Sequence, residues 1–163
     1  MRISADKNAH FSYSKSFAIC LYWRCACSPY PRKVNKLTPL RVLIVEDSEN
    51  DALLLLRLLR KGGYEPTYRQ VQTEATMRKA LQEEAWDLIL SDHDMPRFSA
   101  LEALRIFQES GLDIPFIIVS GALEEGIARA AIRAGARAYI RKKELQYLLP
   151  AVQRELDQAH RPG

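Results

Sequence analysis

Two apolar runs in this chain each end on carboxylates. Arg41-Val-Leu-Ile-Val-Glu46 leads into Asp47, and Asp87-Leu-Ile-Leu-Ser-Asp92 leads into His93-Asp94-Met95-Pro96. If both runs are strands of one parallel sheet, Glu46, Asp47 and Asp92 meet in one acidic pocket at its edge. Carboxylates so close repel one another: at an effective dielectric near 20, each pair at ~4–5 Å costs roughly 3–4 kcal/mol. A bound cation or a proton on one group relieves the repulsion. Mg²⁺ is the expected ion, being hard, oxygen-seeking and content with one or two carboxylates plus phosphate oxygens and water. No soft ligand accompanies the cluster. A lone histidine beside an aspartate, His93, is expected to be structural or gating rather than a zinc ligand.

Phosphoryl transfer needs an in-line nucleophile, a metal that offsets developing charge, and a fixed cation on the equatorial oxygens. Asp92 offers the nucleophilic carboxylate, and Lys142 the cation. Ser120 offers a hydroxyl to a phosphoryl oxygen, and Gly121 allows backbone N–H groups to come close. Each residue has a plainer reading by itself. Asp92 would be a helix N-cap or a solvated loop carboxylate, Tyr139 a half-buried core aromatic, Lys142 a solvated lysine. Their conjunction carries the chemical reading.

Positioning these groups falls to an alternation of strands and helices from residue 41 onward. Strand 1 spans about 41–46, an unbroken β-branched run of the kind buried on both faces. A helix capped by Ser48, with Asp51 three residues on, stops at Gly62-Gly63. Strand 2 covers about 65–71, and the second helix runs from Thr73 to about Glu84. Strand 3 is about 87–91. The third helix opens on the capping box Ser99-x-x-Glu102 and ends at Gly111. Strand 4 is Pro115–Val119, and the fourth helix runs from about Glu124 to Ala134, closed by Gly135. Strand 5 is Ala138–Arg141. The last helix fills most of 144–160, with Pro150 in the first turn of its main part, where a proline is tolerated. Five strand-helix units imply an α/β fold, a parallel sheet with helices on both faces. In such sheets ligands bind at the carboxyl ends of the strands, near the reversal of strand order. Glu46, Asp47, Asp92, Ser120 and Lys142 all fall at those ends.

Composition and charge narrow the class. The 163 residues suffice for one domain with a well-buried core. Residues 1–40 carry seven Lys/Arg against one acidic residue, Asp6, a net of +6, while the remainder carries 17 against 19, a net of −2. The folded part is therefore mildly acidic and gives no ground for nucleic-acid binding. Cys20, Cys25 and Cys27 all lie in the first forty residues and form no recognised disulfide or zinc frame. A main body without cysteine fits a reducing compartment, and a cytoplasmic location is expected. No run reaches the ~20 apolar residues that span a bilayer, so no membrane partner is expected. Residues 1–37 lack helical or strand periodicity and are expected to be a disordered or non-native leader, with the folded domain at 38–160.

Residues 41–160 resemble the receiver domain of two-component response regulators. The matching elements are Val-Leu-Ile-Val-Glu46-Asp47, Asp87-Leu-Ile-Leu-Ser-Asp92-x-x-Met95-Pro96, Phe116-Ile-Ile-Val-Ser120-Gly121 and Ala134-Gly-Ala-x-Ala-Tyr139-Ile-x-Lys142. The resemblance implies a flavodoxin-like, doubly wound five-stranded sheet of strand order 2-1-3-4-5. It implies Asp92 as phosphoacceptor, with Mg²⁺ held by Glu46, Asp47, Asp92 and the backbone carbonyl of Asp94. Ser120 and Tyr139 become the switch pair, and Lys142 the phosphate-binding lysine. The implied partner is a sensor histidine kinase or histidine phosphotransfer protein. A homodimer through helix 4, strand 5 and helix 5 is a further possibility. The implied function is signalling, not enzymatic turnover of an external substrate. Two positions depart from the family pattern: Lys143 follows Lys142 where proline is usual, and position 94 is Asp rather than Asn or a small polar residue.

Two other readings stay open. One is a receiver-like interaction module that is never phosphorylated. The other is an aspartyl-nucleophile phosphatase, since Asp92-His-Asp94 has the D-x-D spacing of the haloacid-dehalogenase group. Those enzymes place it after the first strand, however, and not after the third. The leucines Leu53–Leu56, Leu58 and Leu59 exceed what one buried stripe requires, so the surplus is either core or a docking surface. Arg129, Arg133, Arg137, Arg141 and Lys143 form either a solvated face balanced by Glu124, Glu125 and Glu144 or a partner surface.

Overall fold

A computed structural model of the protein describes residues 37–121 and 125–159. Residues 1–36, expected to be a leader, and Glu124, expected to open the fourth helix, fall outside the described residues. Five strands are present: β1 (Thr38–Val45), β2 (Tyr64–Val71), β3 (Leu88–Asp92), β4 (Phe116–Ser120) and β5 (Ala138–Arg141). They alternate with α1 (Glu49–Lys61), α2 (Glu74–Glu83), α3 (Ala100–Glu109), α4 (Glu125–Arg133) and α5 (Leu148–Ala159). All strand pairs are parallel, in the order β2-β1-β3-β4-β5. This is the α/β, flavodoxin-like arrangement that the sequence implies.

The period-2 geometry of strands divides the core in two. Leu43, Val45, Ile89, Phe116 and Ile118 point to one face, where Met77 and Ala80 of α2, Leu104, Ile106 and Phe107 of α3 and Ala131 of α4 cover them. Val42, Ile44, Leu88, Leu90, Ile117 and Val119 point to the other, beneath Leu55, Leu56 and Leu59 of α1 and Leu148, Val152 and Leu156 of α5. Covering both faces requires the unbroken apolar runs seen in β1, β3 and β4. In α1 the surplus leucine is Leu54, 44% exposed.

Helix starts follow the side chains expected to cap them. Ser48 Oγ accepts from Asp51 N at 3.3 Å. Ser99 Oγ accepts from Glu102 N at 3.3 Å, and Glu102 Oε2 accepts from Ser99 N at 2.8 Å. Thr73 is paired reciprocally with Thr76. Gly135 ends α4 at φ +99°, a backbone region in which a side chain would be strained.

Several strand boundaries differ from the sequence expectation. β1 starts at Thr38 rather than Arg41, because its register with β2 already pairs Thr38 with Tyr64. β3 runs Leu88–Asp92 and not 87–91, with Asp92 paired to Val119, and β4 runs Phe116–Ser120 and not Pro115–Val119. After β5 the chain forms a 3-10 helix over Lys142–Tyr147, and Pro150 lies in the first turn of α5. The Lys142–Lys143 peptide bond is trans.

Candidate functional site

Strand order reverses between β1 and β3, and the carboxyl ends of these two strands carry the acidic residues. Glu46 follows β1 directly, and its backbone N–H donates to Val71 O of β2 at 3.1 Å. Gln70 Nε2 donates to the Glu46 carbonyl at 2.7 Å, which fixes the turn from the other side. Glu46 and Asp92 are buried, whereas Asp47 is exposed at the rim. One oxygen from each of Glu46, Asp47 and Asp92 lies within 4.8 Å of the others. Three hard oxygen donors grouped in this way could hold a divalent cation such as Mg²⁺, with water completing its shell.

Lys142 enters from the end of β5. Its Nζ donates to Asp92 Oδ2 at 3.2 Å and to Glu46 Oε2 at 3.3 Å. It also donates to Asp51 Oδ2, on the first turn of α1. Burial would push the ammonium down. The hydrogen bond it donates to Asp51 and the charges on Asp92 and Glu46 outweigh it, and the Lys142 pKa is raised above the ordinary lysine value. The lysine therefore stays charged and balances the cluster.

Ser120 is fully buried at the end of β4. Ser120 Oγ donates to Asp94 Oδ2 at 3.3 Å, and Gly121 N donates to the same oxygen at 2.9 Å. Asp94 N in turn donates to Asp92 Oδ1 at 3.3 Å. Tyr139 is half-buried on β5, with its ring centroid 6.3 Å from that of His93. His93 Nδ1 has no hydrogen-bond partner among the described residues. The structure thus gathers Glu46, Asp47, Asp92, Asp94, Ser120, Gly121 and Lys142 at one sheet edge and sets Tyr139 beside it.

Sequence reasoning missed two participants. Asp51 is read there only as part of a helix start, yet its carboxylate shares Lys142. No local spacing signals this, because Asp47 precedes the extended N-cap Ser48 and the contact joins α1 to the residue that follows β5. The Asp94 side chain is the second: the sequence reading marks it as a departure from the family pattern and as the second acid of the D-x-D spacing, but not as a partner of Ser120 and Gly121.

On the neighbouring face, Arg129 pairs with Glu125 at 3.2 Å, Arg137 with Asp113 at 3.3 Å, and Arg141 with Glu144. These arginines have local partners, as a solvated face requires, and exposed pairs of this kind contribute little to stability.

Burial pushes Glu46 up to about 7 from the ordinary 4.5, against hydrogen bonds from Ser48 N and Lys142 that act to lower it. Unfolded Glu46 releases its proton near 4.5, while folded Glu46 holds it until about pH 7. Over that interval the folded state binds the extra proton, so stability falls as pH rises. We expect the metal-free protein to lose on the order of 1–2 kcal/mol in urea unfolding between about pH 5 and about pH 8. Glu46→Gln should flatten this slope; an unchanged slope in the variant would remove Glu46 as its source.

The sequence profile of the response regulator receiver domain matches residues 42–153. The sensory/regulatory protein RpfC of Xanthomonas campestris pv. campestris (strain 8004) is 30% identical over 122 residues, covering 72% of this chain and 16% of that protein. The autoinducer 2 sensor kinase/phosphatase LuxQ of Vibrio vulnificus (strain YJ016) is 32% identical over 104 residues, 63% of this chain and 12% of that protein. The chain therefore spans about a sixth or less of the length of these relatives. Among solved structures, the receiver domain of the sensor histidine kinase PA1611 from Pseudomonas aeruginosa PAO1 superposes with a TM-score of 0.61 at 24% identity, over 74% of this chain and 99% of that one. With more than half of its residues accounted for by the profile, the chain belongs to the response regulator receiver domain family of two-component signalling.

Proposed function

We propose that this receiver accepts a phosphoryl group on Asp92 from a sensor histidine kinase or a histidine phosphotransfer protein, with Mg²⁺ as cofactor. The observation that carries the reading is the placement of a buried Asp92 carboxylate 3.2 Å from Lys142 Nζ inside a cluster of carboxylates. An Asp92 oxygen forms a bond to phosphorus as the phosphorus–nitrogen bond of a phosphohistidine breaks, and the imidazole leaves with that electron pair. Glu46, Asp47, Asp92 and the Asp94 backbone carbonyl would hold the Mg²⁺. When bound, the ion offsets the charge that builds on the transferring oxygens. The PA1611 receiver structure is described with a magnesium ion coordinated in its active site cleft, which supports the same ion here. Lys142 and the Ser120 hydroxyl hold the remaining oxygens.

Membership of the receiver family supports a switch by Ser120 and Tyr139. Ser120 drawn towards a phosphoryl oxygen makes room for Tyr139 to settle inward, and the surface of α4, β5 and α5 changes with it. That is a shift between two existing populations. Such a surface serves a downstream protein or a second copy of the chain, and the net charge of −2 over residues 41–163 does not favour nucleic acid. We place the receiver unit at 38–160 and its site of action in the cytoplasm. Among the described residues no helix is long and apolar enough to cross a membrane. The protein acts as a signalling module and not as an enzyme on an external substrate, a reading supported by the match to the receiver family and by the place of Asp92 after the third strand and not the first.

Incubation with acetyl phosphate and Mg²⁺, followed by intact-mass measurement, tests the reading. One added phosphoryl group is expected, and chelation with EDTA should abolish it. No adduct with Mg²⁺ present would overturn the phosphoacceptor reading; an adduct that forms equally under chelation would remove the metal from it.

A further inference from the structure

We infer that the Asp94 carboxylate is an internal stand-in for a phosphoryl oxygen: it fills the hydroxyl-and-amide pocket of Ser120 and Gly121 and must leave before a phosphoryl group on Asp92 can be held there. The inference rests on the reading of Asp92 as phosphoacceptor.

Two donors from the end of β4 converge on one anionic oxygen, Asp94 Oδ2, at 3.3 Å from Ser120 Oγ and 2.9 Å from Gly121 N. A hydroxyl and a backbone N–H aimed at one point form the arrangement that stabilises an oxyanion. The pocket also has the shape for it. A Cβ placed on Gly121 would come within 3.1 Å of the same carboxylate oxygen, so the absence of a side chain there leaves the room that Asp94 uses. The tether is short. Asp94 lies two residues beyond Asp92 and donates its N–H to Asp92 Oδ1, so its side chain departs from the rim on which a phosphoryl group would form.

A phosphoryl dianion on Asp92 and an Asp94 carboxylate cannot share these donors, because like charges at such range repel strongly. Asp94 is exposed, so a side-chain rotation carries its carboxylate into water. Leaving forfeits two hydrogen bonds to a charged group, and rehydration of the exposed carboxylate offsets part of that loss. Opposing phosphoryl entry by one of them slows uptake roughly ten- to a hundredfold. Asp94 thereby sets the threshold at which the domain responds to a phosphodonor.

The test compares wild type, Asp94→Asn and Asp94→Ala, all of which keep the backbone carbonyl at position 94. The first readout is the Gly121 amide proton in ¹H–¹⁵N spectra without metal. It should resonate downfield in the wild type, move upfield in Asp94→Ala, and return downfield when beryllofluoride and Mg²⁺ are added. The second readout is the initial rate of uptake from acetyl phosphate with Mg²⁺. Asp94→Ala should exceed the wild type by roughly ten- to a hundredfold, with Asp94→Asn between them, because its amide oxygen still accepts but carries no charge. A Gly121 amide that does not move in Asp94→Ala, or an uptake no faster than wild type, overturns this inference alone. Equal rates for the Ala and Asn variants overturn it too, since charge and not occupancy would then govern entry. If neither wild type nor variant acquires a phosphoryl group on Asp92, the phosphoacceptor reading falls and this inference falls with it.

Discussion

Asp92→Asn is expected to take up no phosphoryl group from acetyl phosphate or from a phosphorylated kinase, at any Mg²⁺ concentration. A carboxamide has no anionic oxygen to attack phosphorus, and its nitrogen lone pair is delocalised into the carbonyl. The substitution also takes one charge from the oxygen cluster and weakens its hold on a cation. The fold should be unaffected. Asn matches Asp in shape, and Asp92 has only 5% of its surface exposed in a site whose lysine keeps Glu46 and Asp51 as partners. Intact mass after incubation and far-ultraviolet circular dichroism check the two halves of this expectation. A folded variant that gains a phosphoryl group at the wild-type rate would move the acceptor to another residue and dissolve the proposed site.

Lys142→Ala should separate two properties that the wild type joins. Asp92 and the oxygen donors remain, so uptake from acetyl phosphate persists. The link from a phosphoryl oxygen to the end of β5 is cut, so amide shifts on α4, β5 and α5 should barely respond to phosphorylation. Stability responds as well. Lys142 neutralises Glu46 and Asp92, both buried, and removing one member of a buried ion pair costs about 3–5 kcal/mol. The lysine is partly open to solvent and Glu46 can take a proton, so about 2 kcal/mol is expected in EDTA, with Mg²⁺ restoring most of it. A phosphorylated Lys142→Ala protein whose α4–β5–α5 amides shift as fully as those of the wild type would refute the coupling.

Much of this architecture was legible in the sequence, because its signals are local. The unbroken apolar runs of β1, β3 and β4 announce strands covered on both faces. Ser48, Thr73 and Ser99 announce helix starts through bonds to residues three positions away. The site was legible in outline for a related reason: a strand that ends in a carboxylate states where that carboxylate goes once the strands are parallel. What escaped were contacts made between distant segments. The first three residues of β1 look irregular until β2 lies beside them in register. Asp51 reads as a helix-start residue until β5 brings Lys142 across to it. The Asp94 side chain offers no hint of Ser120 and Gly121, which approach only when β4 is laid against β3. Side-chain direction at a loop is a tertiary property, and spacing alone does not encode it.

The five helices are not fastened equally. α3 sinks Leu104, Ile106 and Phe107 into the sheet, while the residue that α4 buries fully is Ala131, with Ile132 47% exposed on its outer side. Burying a large apolar side chain is worth roughly 1.5–3 kcal/mol, and a single methyl much less. Prising α4 loose therefore uncovers a fraction of the oily surface that prising α3 loose would. Of the five α-helices among the described residues, α4 has the least fully buried surface to give up when the strand ends below it rearrange.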